Sequence, residues 1–138
     1  MVGVQPAELG AYVADLHEDQ AAAVLGLHAL VTAAAPDLDV AVNDGKWLRG
    51  LIFFSAGPNM VYAVGPKGTT KTVFHMMPFY GSPVLQERHG PALAPFLTGK
   101  SCITFRRFDD LPAEALTDIV GRGTPVFVQL VTKANTDG

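Results

Sequence analysis

The side chains best suited to chemistry in this chain are imidazoles and carboxylates. His75 sits in a β-type run, Glu87 and His89 follow within fifteen residues, and Asp15, Glu18 and Asp19 stand near the start. Imidazole with carboxylate suits iron or zinc, and carboxylates alone hold harder cations through oxygen. Asp15, Glu18, Asp19, His75 and His89 are therefore the candidate metal ligands, with Glu8, Asp37, Asp39 and Asp44 extending an acidic edge. No H-x-x-x-H or H-x-x-E pair lies on one helix, so the fold itself would have to assemble the site. His75 with Glu87 is also the one acid–base pair to weigh, and it lacks a visible third group.

A second set of residues suits binding. Leu51 to Phe54 and Val73 to Tyr80, with Met60, Met76 and Met77, carry more apolar bulk than a small sheet with helices on one face requires. The surplus can line a pocket or an oligomer interface, and methionine adapts to varied partners. Trp47 stands among Asp44, Lys46 and Arg49, a mixture suited to a contact surface if the indole is exposed and to a core plug if it is not. His75, Trp47, Met77 and Tyr80 are the candidate ligand-binding residues. His28, among Val24, Leu25 and Val31, reads as a core-edge histidine. Cys102 is expected to be inert, because an apolar strand raises a thiol pKa.

Ala94 to Ser101, reading APFLTGKS, imitates a phosphate-binding loop with alanine for its first glycine. Such a loop follows a strand and opens a helix, so that backbone N–H groups face the anion. Here helix signals precede it and strand signals follow. Gly99 is expected to close a helix and Lys100 to start a strand.

The elements that would position these groups follow from periodicity and punctuation. Leu9, Tyr12, Val13 and Leu16 recur at helical spacing after Pro6, and a second helix is expected from about Glu18 to Ala35, stopped by Pro36. Leu38, Val40 and Val42 alternate as a strand, and Leu51–Phe54 and Met60–Val64 form a hairpin around Gly57-Pro58-Asn59. Thr72 to Phe79 is expected to be one strand with Val73, His75, Met77 and Phe79 on the same face. Ser82-Pro83 opens a helix that Gly90-Pro91 kinks or restarts, and Cys102–Arg106 returns as a strand. Asp109 and Asp110 supply the negative first turn of a last helix, bent near Pro125 and fraying from Ala134 to Gly138. The order implies a single α+β domain with about five mainly antiparallel strands and helices on one face.

With 138 residues, 49% hydrophobic and 17% charged, the chain can bury a real core. A net charge of −3 and scattered basic residues exclude a nucleic-acid footprint. A lone Cys102 forms no internal disulfide and fits a reducing cytoplasm. Met1 to Pro6 lacks the features of a signal peptide, and no window is long enough to span a membrane.

Val73-Phe74-His75-Met76, Leu85-Gln86-Glu87-Arg88-His89-Gly90-Pro91-Ala92-Leu93, and Gly99 to Phe105 leading into Asp109-Asp110-Leu111-Pro112 resemble the YdhG-like family, domain of unknown function family 1801. With the two first helices and the Gly45 turn, the similarity spans about residues 9 to 122. The resemblance implies a frataxin-like two-layer sandwich. It also implies, as the alternative function, an intracellular iron-binding chaperone. The primary expectation is a non-catalytic ligand-binding or protein-interaction domain without a required cofactor, iron being the metal the resemblance admits. Its partner would be an unidentified small molecule or protein, a homodimer included, and neither nucleic acid nor membrane.

Overall fold

The computed structural model describes residues 6–137. The readings made on Met1 to Gln5, as unlike a signal peptide, and on Gly138, as the last residue of a fraying tail, lie outside the described residues. Helix α1 (Pro6–Val13) begins at a proline, whose absent N–H is not needed in a first turn. Helix α2 (Glu18–Ala34) begins with a reciprocal cap in which His17 takes the usual Ser or Thr place. His17 Nδ1 accepts from the Asp19 N–H at 3.0 Å, and Gln20 Oε1 accepts from the His17 N–H at 3.3 Å. The Gln20 amide also donates to the carbonyls of Gly68 and Lys71, at 3.1 and 2.9 Å, and so ties the helix start to a sheet turn.

Five strands, β1 (Asp39–Val42), β2 (Ile52–Ala56), β3 (Asn59–Lys67), β4 (Lys71–Met76) and β5 (Cys102–Phe105), pair antiparallel in chain order. Two cross-strand rows build the core face: Val40, Phe54, Tyr62 and Met76, and beside it Ile52, Val64, Phe74 and Ile103. All eight are buried. Each such side chain contributes on the order of 1.5–3 kcal/mol by leaving water, which makes this face the main source of stability. Val24, Leu27 and Val31 of α2 and Leu116, Ile119 and Val120 of α5 (Ala113–Asp137) complete the same core. The architecture is the expected α+β one, an antiparallel sheet with helices laid on one face. Tyr62 stacks on Phe74 with ring centroids 5.7 Å apart, and its hydroxyl meets Thr124 Oγ1 at 2.6 Å. Burial pushes the Tyr62 phenol pKa well up.

Three local expectations are corrected. The strand expected to run to Phe79 stops at Met76, and Met77–Tyr80 forms the short helix α3. Pro78 explains the change, since it offers no N–H to a sheet ladder yet fits a first helical turn. Phe79 consequently joins the core instead of sharing a face with His75. Helix α4 (Pro83–Leu93) passes through Gly90-Pro91 without a restart and ends before Gly99, which does not take the left-handed conformation expected of it. Asp109 and Asp110 lie in a separate 3-10 turn, Phe108–Asp110, leaving Glu114 as the acidic residue of the first turn of α5. Through Pro125 the chain stays helical, as its apolar phase implies.

Candidate functional site

Helices α3, α4 and α5 enclose a groove whose walls follow from local sequence. Ser82 starts α4 by accepting the Leu85 N–H on its hydroxyl at 3.2 Å. One turn on, the Gln86 amide donates to the carbonyls of Phe79 and Tyr80, at 3.0 and 2.9 Å, and ties α4 back to α3. Gly123 lets α5 approach, because a Cβ there would sit 2.8 Å from Pro78 Cβ and 3.0 Å from Leu85 Cδ1. The resulting cavity is about 450 Å³, within the range of small-molecule sites. Its apolar wall is Pro78, Val84, Leu85, Val126, Phe127 and Leu130. Val84, Val126 and Leu130 are 68%, 58% and 59% exposed, so the described residues leave much of that wall uncovered. Exposed apolar side chains gathered on one concave wall make this groove the candidate binding surface.

A charged cluster borders the groove. Asp118 of α5 lies with Oδ2 2.6 Å from His89 Nε2, and its other oxygen accepts from Arg122 Nε one turn along the helix. An ionised carboxylate only accepts, so His89 Nε2 carries the proton in this contact. Arg88 Nη1 stands 3.6 Å from Asp118 Oδ2. The hydrogen bond from His89 holds the Asp118 carboxyl below its ordinary value, with Arg122 adding to the effect against partial desolvation. Arg88 and Arg122 both line the groove and are both far more exposed than Asp118.

The four residues expected to bind ligand do not converge here. His75 faces the opposite side of the sheet, in register with Phe53 through Ala63 and with Cys102. Burial, and then the charge of Lys67, lowers its pKa, and among the described residues its ring makes no hydrogen bond. Trp47 is 63% exposed, which removes the core-plug alternative, and it meets Phe53 edge-on at 6.2 Å. The turn that carries it is held by the Asn43 amide, which donates to the Trp47 carbonyl at 2.6 Å. Met77 and Tyr80 belong to α3, where Tyr80 shares a separate hollow with Gln86 and Lys100.

The metal candidates are also dispersed. Asp19 accepts from Arg106 Nε at 2.9 Å, and that hydrogen bond is the chief reason its carboxyl is held low. His89 is engaged by Asp118, and His75 lies on the far face of the sheet. Asp15 falls in the turn between α1 and α2, and Glu18 opens α2. No group of three or more His, Cys, Asp or Glu side chains able to hold a metal occurs among the described residues. No hydrogen bond or ion pair joins His75 to Glu87 there. Cys102 Sγ lies 3.7 Å from Thr98 Oγ1, so its side-chain hydrogen-bond partner among the described residues is a hydroxyl and not a base. Lys100 follows α4 and precedes β5, the reverse of a phosphate-loop setting.

Sequence reasoning passed over Val84, Arg88, Asp118, Arg122, Val126 and Leu130. Asp118 and Arg122 at i and i+4 were a legible ion pair, but nothing in the chain's order shows that α4 lies beside them. No family model matches this chain, and neither a curated protein nor a solved structure matches it. Among the described residues no helix is long and apolar enough to cross a membrane.

Proposed function

We propose that this chain is a non-catalytic binding domain of the YdhG-like kind that takes an apolar ligand in the groove between α3, α4 and α5. The observation that carries the reading is the exposure of Val84, Val126 and Leu130 around one cavity of about 450 Å³. A folded domain keeps large contiguous apolar patches for contact with another molecule. The polar groups at the site are few, as in ligand pockets generally, and they lie at one side. The isolation of His75 and Cys102 from any base or orienting group supports binding over catalysis.

Titration with the uncharged dye 1-aminoanthracene tests this reading. Its fluorescence should rise on the native protein, and Val126→Glu, on an exposed position, should abolish the rise while leaving the circular dichroism unchanged. Equal dye binding by the Val126→Glu variant would refute the groove as the site.

A further inference from the structure

The groove is not uniformly apolar, and the chemistry of its charged edge identifies a class of ligand. We propose that it binds an amphipathic monocarboxylate, with the hydrocarbon chain against Val84, Val126 and Leu130 and the carboxylate on Arg88 and Arg122. The proposal rests on the groove being a binding site and adds what the occupant carries.

Two guanidiniums share one protein carboxylate, Asp118, so the cluster keeps one formal positive charge even before His89 is considered. Arg88 is held to Asp118 only by a 3.6 Å ion pair, beyond hydrogen-bond distance, and its donors are otherwise unengaged among the described residues. Arg122 commits Nε and keeps both Nη groups for another acceptor. Asp118 therefore aims the two arginines without saturating them. A planar carboxylate matches a guanidinium fork, and the apolar wall beside it takes the hydrocarbon chain that a bare anion lacks. One surplus charge corresponds to a monoanion. A second copy of this chain is a poorer occupant, because a twofold contact centred on the groove would bring two sets of these guanidiniums face to face.

Decanoate and decanol, used below their aggregation limits at neutral pH, share a chain and differ in the head. Methyl resonances of Val84, Val126 and Leu130 should shift with both. Decanoate should bind about tenfold more tightly, the size expected of a charge-assisted hydrogen-bonded pair. Arg88→Gln, which removes no protein hydrogen bond, should erase most of that preference, and Arg122→Gln should erase part of it. Equal affinity for acid and alcohol on the native protein would overturn the carboxylate assignment and leave the groove reading intact. A preference for decanoate that survives both substitutions would also overturn it. Absence of any methyl shift with either probe would remove the groove reading as well. Concentration-dependent self-association that protects the same methyls would assign the groove to a second copy and overturn the proposal.

Discussion

The two halves of α5 carry the same apolar phase and meet opposite fates. Leu116, Ile119 and Val120 in the first half are fully buried against α2 and the sheet, whereas Val126 and Leu130 in the second half stay more than half exposed. The helix is also longer than its neighbour: 25 residues make about 37 Å, while α2, of 17 residues, covers about 26 Å. Beyond Pro125 the helix still sets Phe127 and Val128 against the core, but Val126 and Leu130 have no layer over them. An apolar stripe shows which side of a helix needs a partner, and tertiary packing decides whether the same chain supplies one.

The contrast is broken most directly by making one chemical change in each half. Leu116→Ala should cost about 2–5 kcal/mol, since it opens a cavity where no exposed surface allows collapse. Leu130→Ala should change stability by no more than about 0.5 kcal/mol and weaken dye binding in the groove. Urea unfolding of the two variants measures both. Comparable losses would mean that the second half is covered in solution by something the chain brings with it.

Where the halves meet, two glycines sharpen the boundary. A Cβ at Gly121 meets nothing within 4 Å, so Gly121→Ala should stabilise by about 0.5–1 kcal/mol through helix propensity. At Gly123 the same substitution drives a methyl into Pro78 and should cost about 1–2 kcal/mol net, overpacking exceeding the propensity gain. Opposite signs two residues apart, read from thermal midpoints, are expected. A stabilised Gly123→Ala would mean that α3 does not press on α5 as described.

Much of the scaffold was legible because its signals are local. Ser82-Pro83 announces α4, Pro36 ends α2, and the alternation through Val40 and the hairpin at Gly57 yield a meander without further information. The end of β4 is hidden in the sequence because Val73 to Phe79 keeps a strand-like apolar content, while the deciding fact, the missing N–H of Pro78, acts at one residue. The groove was not legible. It needs α4 and α5 side by side, and their contact pairs His89 with Asp118 and Leu85 with Gly123, partners far apart in sequence. Trp47 allowed two readings because its exposure depends on a turn held by Asn43 from within the loop itself.

The buried bond that anchors the junction should have a smaller effect. Tyr62→Phe removes the hydroxyl that meets Thr124 and leaves Thr124 Oγ1 without that partner, a loss of about 1–1.5 kcal/mol. Pairing it with Thr124→Val should recover part of the loss, because neither polar atom then remains. A double variant as unstable as the sum of the single changes would show that the two hydroxyls do not depend on each other.

The smallest effect belongs to Asp118, whose ion pairs clamp the first half of α5 to α4 at an exposed edge. Its folded pKa lies below the ordinary 3.8, so the carboxylate adds stability that is complete above the unfolded value and is lost as pH falls through the folded one. Asp118→Asn should therefore be slightly less stable than the native chain at pH 7. The gap should close progressively once pH drops below about 4, the range of a free aspartate. Added salt should narrow it at neutral pH, because exposed pairs are screened. Acid titration of unfolding free energy for both proteins reads the closure. A gap that persists at pH 2 would mean that the substituted amide disturbs packing between the helices, and the charge of Asp118 would then have no part in holding the groove's arginines in place.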